Sequence, residues 1–165
     1  MPTKNTKYQV TKKNHNIVTN RIEVQFATAT TNIPDKKKIT SWARKALPDN
    51  NKNVELTIRV VDEEEIQKLN QRWRGMDKGT NVLSFPAGEN IVAPGLLGDI
   101  AICAPIIEKE ALEQNKSQDA HWAHMVIHGV LHLLGYDHIE DDDAEIMESH
   151  EINILNTLNF SNPYE

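Results

Sequence analysis

Cysteine is almost absent from this chain, and long apolar runs are missing as well. The one cysteine, Cys103, excludes an internal disulfide framework and suits a reducing compartment. No stretch approaches the roughly 18 consecutive apolar residues of a membrane-spanning helix. Residues 1–7 have no apolar segment of the kind found in secretory signals. We therefore expect a cytoplasmic protein that does not associate with membranes.

Basic residues are also fewer than acidic residues. The 18 Lys and Arg residues are outnumbered by 24 Asp and Glu residues, and the formal net charge is −6. This balance argues against a generally basic surface for nucleic acids. A local basic cleft is still compatible with it, because clefts focus the field of the charges that line them.

The N-terminal residues 1–20 depart from this acidic average. They are polar and basic, with few apolar side chains, and their lysines are Lys4, Lys7, Lys12 and Lys13. This composition predicts a flexible basic tail, with an RNA-contacting arm as the alternative. The tail precedes a region whose length suits one folded domain, residues 21–165.

Hydrophobic periodicity predicts a single α/β domain, in which about five helices pack on a four-stranded mixed sheet. Strands are expected over residues 21–27, 54–60, 82–85 and 98–103, with a flexible loop over 87–97. Helices are expected over 35–47, from Asp62 through Trp73, over 105–115, from Ser117 onward, and over 140–158. Asp62 and Glu65 are expected to form a capping box.

The helix that begins at Ser117 resembles the metal-binding helix of zinc metalloproteases. It carries the first two residues of the pattern H-x3-H-x5-H, formed by His128, His132 and His138. Residues four apart share one helix face, and Gly135 can end the helix and turn the chain back towards His138. Three imidazoles that leave a fourth position open are typical of catalytic zinc. We therefore predict one Zn²⁺ per chain on these three histidines, with His128 also at the reacting centre.

The same helix carries two further histidines, His121 and His124, on the same stripe. His121 and His132 are about 16 Å apart along the axis and cannot share an ion. His124 and His128 form a possible ligand pair, but only His128 and His132 lie near the Gly135 turn. His121 and His124 are therefore expected to line the cleft, to support the ligands or to be polar surface.

Gly129 distinguishes this pattern from that of the metzincin proteases, which have the same histidine spacing. In those enzymes a glutamate follows the first histidine and acts as general base for peptide hydrolysis. With glycine in its place, the pattern favours metal-assisted hydrolysis of a substrate other than a peptide. A metallopeptidase-like hydrolase is the alternative.

A second concentration of chemical groups lies in residues 72–81. Arg72, Arg74 and Lys78 lie within seven residues of one another. They are expected on or beside a loop over residues 74–80, with Gly75 and Gly79 as its hinges. Such a loop can bind phosphate, and the alternative is a solvated charged turn.

Several segments together resemble the bacterial YbeY family. They are residues 128–138 (HGVLHLLGYDH), 80–86 (TNVLSFP), 74–78 (RGMDK), 97–100 (LGDI) and 120–125 (AHWAHM). The similarity runs from about Arg21 to the C-terminus, and Gly79 stands where many members have proline. The resemblance implies a four-stranded mixed sheet, zinc ligands at His128, His132 and His138, and an essential arginine at Arg74.

The resemblance also implies a function. Members of this family are metal-dependent, single-strand-specific endoribonucleases of 16S rRNA 3′-end maturation and ribosome quality control. The implied partners are ribosomal RNA precursor, the small ribosomal subunit and its proteins, an exoribonuclease and an assembly GTPase. The alternative from a different class is a non-enzymatic ribosome-assembly factor in which zinc is structural.

Overall fold

The computed structural model describes residues 19–50, 53–89, 92–137 and 139–165. One predicted metal ligand, His138, and residues 1–18 of the predicted tail lie outside these ranges. Among the described residues, every helix is too short or too polar to cross a membrane.

The chain alternates between strands and helices and then continues with three consecutive helices. Its elements are β1 (Arg21–Ala27), α1 (Lys36–Ala46), β2 (Glu55–Val61), α2 (Glu63–Arg74), β3 (Val82–Pro86), β4 (Leu96–Cys103), α3 (Ala104–Glu113), α4 (Gln118–Leu133) and α5 (Asp141–Thr157). The predicted α/β fold, a four-stranded mixed sheet with five helices, is confirmed.

The sheet has the strand order β1-β2-β4-β3. Strands β1, β2 and β4 are parallel, and β3 is an antiparallel edge strand against β4. Strand β4 begins at Leu96, so the predicted loop over residues 87–97 ends too late. The cause is a bulge: Glu55 pairs with Leu96, and Leu56 pairs with Gly98. Gly98 has a φ of +133°, and a Cβ there would collide with the carbonyl oxygen of Phe85.

The two faces of the sheet are covered unequally. One face packs against α1 and α4 and contains most of the core, including Leu56, Ile58 and Trp122, which are fully buried. The other face has a smaller apolar cluster beneath α2, with Ile66 and Cys103 at its centre. Cys103 is a free, buried cysteine. Helix α4 therefore lies directly on the sheet, whereas α2 leaves part of the opposite face open.

Helix N-termini follow the expected capping chemistry at α4 but not at α2. The Ser117 hydroxyl accepts a hydrogen bond from the Ala120 amide at 3.1 Å. Asp62 precedes α2, but its carboxylate makes no cap and instead accepts hydrogen bonds from Thr28 and Ala29. Those two bonds hold the pKa of Asp62 below its usual value. The predicted capping box is therefore wrong, since donors from the segment after β1 compete for the carboxylate.

Candidate functional site

Helix α4 carries four histidines along one stripe, and the two nearer its N-terminus are buried. His121 is 3% exposed and His124 is 8% exposed, so neither is polar surface. His121 contacts the carboxylate of Glu110 at 2.7 Å, and His124 contacts that of Glu151 at 3.1 Å. Burial lowers the pKa of His121, although the hydrogen bond with Glu110 opposes that shift.

His128 and His132 face each other one helical turn apart. Their Nε2 atoms are separated by 3.1 Å, and their ring planes are inclined at 81°. Two imidazole nitrogens on one tetrahedral zinc ion, each about 2.0–2.1 Å from the metal, would be about 3.3 Å apart. The separation in the structure fits shared ligation of one ion.

Glu151, on α5, is fully buried against these histidines. Its Oε1 accepts a hydrogen bond from Nδ1 of His128, and its Oε2 accepts hydrogen bonds from His124 and from the Tyr164 hydroxyl. An ionised carboxylate can only accept hydrogen bonds, so Nδ1 of His128 carries the proton. The lone pair of His128 is then on Nε2, which faces His132. A carboxylate on the far nitrogen is the usual support of a metal-binding histidine.

The carboxylate of Glu151 is kept ionised by these donors. Burial acts to raise its pKa, but the hydrogen bonds from His124 and His128 outweigh burial and bring the pKa to about 2. Burial and the adjacent Glu151 carboxylate raise the pKa of Tyr164, so its hydroxyl keeps its proton and donates it.

His124, His128 and Glu151 also form a potential metal-binding group by themselves. One ligand atom from each lies within 4.8 Å of the others. However, the two carboxylate oxygens already accept bonds from three donors, including Tyr164. An ion there would displace these bonds, so we favour Glu151 as the support of His128. The signal for Glu151 in the sequence is a carboxylate on the buried face of α5, next to Met147 and Leu155.

Gly129 faces the sheet rather than the histidines. A Cβ at this position would lie 3.0 Å from Cγ2 of Ile100, and the Ser84 hydroxyl donates a hydrogen bond to the Gly129 carbonyl at 3.0 Å. A side chain at this position would therefore be crowded at its Cβ atom, and glycine allows α4 to pack closely on β4.

The histidine pair and the basic loop line one cleft, which we call the histidine cleft. It has a volume of about 650 Å³. His128 and His132 line it together with Arg74, Lys78 and Tyr136. Two of the three predicted metal ligands and two of the three predicted phosphate-binding side chains therefore line one cavity.

The predicted basic loop is only partly a loop, because Arg72 and Arg74 lie in the last turn of α2 and only Lys78 lies on the loop that follows. That loop is held at both ends. Gly75, with φ of +69°, ends α2 and turns the chain into the loop. The Asn70 amide donates to the Lys78 carbonyl at 2.9 Å, and the Asn81 amide contacts the Glu110 carboxylate at 3.2 Å. These bonds fix the loop ends, while the side chains of Arg74 and Lys78 are exposed.

The domain is mixed α/β, and its cleft combines a carboxylate-supported histidine pair, an arrangement common at metal sites, with basic side chains. The family description "Endoribonuclease YbeY" matches residues 21–159, and the chain belongs to this family. The fold is also similar to the solution structure of TM1509 from Thermotoga maritima. That protein is 28% identical, the match covers 87% of this chain and 99% of that one, and the TM-score is 0.53.

Proposed function

We propose that this protein is a zinc-dependent, single-strand-specific endoribonuclease that acts in 16S rRNA 3′-end maturation and in ribosome quality control. The observation that carries the proposal is the histidine cleft, which His128 and His132 line together with Arg74, in a chain of an endoribonuclease family. Residues 21–165 would form the catalytic domain and residues 1–20 a flexible basic tail. The protein would act in the cytoplasm, together with the small ribosomal subunit, an exoribonuclease and an assembly GTPase.

The donor set fits a zinc ion. His128 and His132 present Nε2 atoms 3.1 Å apart, and His138 would complete the set. When bound, zinc would supply Lewis-acid chemistry and a water molecule activated at neutral pH.

The chain's own residues would hold the phosphodiester and its developing charge. The exposed Arg74 guanidinium would bind the scissile phosphate through charge-assisted hydrogen bonds, which strengthen as charge builds on the phosphoryl oxygens. Lys78, on the loop that follows α2, would bind a neighbouring phosphate as a point charge. His128 would remain oriented by Glu151 throughout the reaction.

The test is cleavage of single-stranded and duplex RNA by full-length wild type, His132→Ala and Arg74→Ala, with zinc content measured for each preparation. Lys45→Ala, an exposed cation on α1, is the matched control. We expect Arg74→Ala to lose about 100-fold or more in cleavage rate with unchanged zinc content. His132→Ala should lose both zinc and activity. Wild-type rates in either variant would contradict the proposal.

The same preparations separate the two alternatives. If zinc were only structural in an assembly factor, His132→Ala would unfold at lower temperature and the folded wild type would have no turnover. A metallopeptidase is disfavoured because Gly129, which packs against Ile100, stands where the peptidase pattern has its glutamate general base. Metal-dependent cleavage of a peptide library would reverse this preference.

A further inference from the structure

A second and larger cavity lies on the open face of the sheet, opposite α4 and beside α2. Its volume is about 920 Å³. It adjoins the histidine cleft at edge strand β3, because Arg74, Ser84 and Pro86 line both cavities. A polymer bound at Arg74 can therefore continue from one cavity into the other.

One wall of this cavity is aromatic. The Trp73 side chain is 61% exposed, an unusually open position for an indole. Its ring contacts that of Phe85 edge to face, with centroids 6.4 Å apart, and the Arg72 guanidinium lies 5.2 Å from the Trp73 ring centroid. An exposed aromatic ring beside cations is the usual platform for an unpaired nucleobase.

The floor of the cavity carries several hydrogen-bonding groups among apolar side chains. Thr57, Asp99 and Phe85 lie in one row across β2, β4 and β3. In the next row, the Arg59 guanidinium is held by Glu65 through two hydrogen bonds of 2.7 and 3.2 Å. Because the charge of Arg59 is balanced by Glu65, this floor suits the polar edge of a base better than it suits a phosphate.

We propose that this cavity is a base-binding subsite for the RNA strand. An unpaired base stacks on Trp73, its exocyclic amine donates a hydrogen bond to the Asp99 carboxylate, and the backbone runs past Arg74, which lines both cavities. Since carboxylates accept from amines, adenine and cytosine bind better than uracil. The proposal rests on the proposed function, which supplies the RNA strand that crosses Arg74.

Tryptophan fluorescence can report on this subsite directly. Trp42 is 6% exposed and Trp122 is fully buried, so a change caused by ligand arises mainly at Trp73. Full-length wild type is titrated with short 2′-O-methyl oligonucleotides of adenine, cytosine or uracil, whose integrity is checked by gel afterwards. We expect quenching by the adenine and cytosine oligomers and weaker quenching by uracil.

Variants of Trp73 and Asp99 test whether these two side chains bind the base. Because the Trp73 variants lack the fluorescent reporter, the affinity of every variant is measured by the anisotropy of end-labelled oligonucleotides. Trp73→Leu should weaken binding by about tenfold, Trp73→Phe should recover part of the affinity, and Asp99→Asn should reduce the discrimination against uracil. Phe26→Leu, at an aromatic side chain that is 47% exposed on β1, is the matched control. Melting temperatures of all four variants verify that each is folded.

Three results would overturn the subsite. If Trp73→Leu binds and cleaves RNA as Phe26→Leu does, the subsite is wrong and the proposed function stands. Quenching that depends on protein concentration without oligonucleotide would mean that a second copy of the chain occupies the cavity. If wild type neither binds nor cleaves RNA, the subsite and the proposed function both fail.

Discussion

Nδ1 of His128 donates a hydrogen bond to the buried Oε1 of Glu151. This one bond fixes the ring orientation and the tautomer of His128, so that its Nε2 lone pair points to the side where His132 lies. Helix α5 thereby contributes to the site through a carboxylate that contacts His128 rather than the proposed ion.

Glu151→Gln should weaken zinc binding about 10- to 100-fold, because the supporting carboxylate is replaced by an amide that cannot accept from all three donors. Competition with a chromophoric chelator measures this affinity. Glu145→Gln, an exposed carboxylate on the same helix, is the control. If both variants bound zinc as tightly as wild type, Glu151 would not support the ligand.

Tyr164→Phe should lower the free energy of unfolding by about 1 kcal/mol. The variant removes the hydroxyl donor of Glu151 and leaves His124 as the partner of Oε2, and a lost hydrogen bond to a charged group costs about this amount or more. Urea denaturation at neutral pH measures it. An unchanged urea midpoint would show that solvent replaces the hydroxyl.

Gly129→Ala should destabilise the protein by about 1 kcal/mol. The new methyl group would lie 3.0 Å from Cγ2 and 3.1 Å from Cδ1 of Ile100. The cost of overpacking, about 1–3 kcal/mol, then exceeds the gain of up to about 1 kcal/mol in helix propensity. Ile100→Val removes one of these methyl contacts, so the double variant should lose less than the sum of the two single variants. Strict additivity in urea denaturation would contradict the contact.

The thiol of Cys103 should not react with aromatic disulfide reagents in the native state near pH 8 and should react rapidly in urea. The side chain is fully buried, and burial raises its pKa to about 11. In the unfolded chain the pKa of the thiol is about 8.5, so the folded protein holds the thiol proton up to a higher pH than the unfolded chain does. This contribution to stability is complete below about pH 8.5 and is lost as pH rises towards 11. Cys103→Ala should abolish that part of the pH dependence.

The fold could be predicted from the sequence where periodicity and local chemistry agree. Strand β1 has the predicted bounds, and α1 lies within the predicted residues 35–47 with Ile39 and Trp42 buried. The errors arise where distant residues compete with local ones. The carboxylate of Asp62 bonds to Thr28 and Ala29 instead of capping α2, and the bulge at Gly98 starts β4 early.

The candidate site could be predicted only in part. The spacing of His128 and His132 indicated a shared helix face, and their Nε2 atoms do approach each other. The zinc set that includes His138, and the role of Arg74, stay predictions. Glu151 was not predicted as a site residue, because its contact with His128 spans 23 positions along the chain and depends on how α5 packs on α4. Local patterns carry no information on such packing.

The hydrogen bond between Ser84 and the Gly129 carbonyl joins strand β3 to helix α4. Strand β3 separates the two cavities and contributes Ser84 and Pro86 to the walls of both. Both walls are therefore anchored to the helix that carries the histidines, and they should move with it as one rigid unit. The protein surface that binds RNA would then be ordered before binding. Most of the conformational entropy lost on binding would be that of the RNA strand rather than that of the protein.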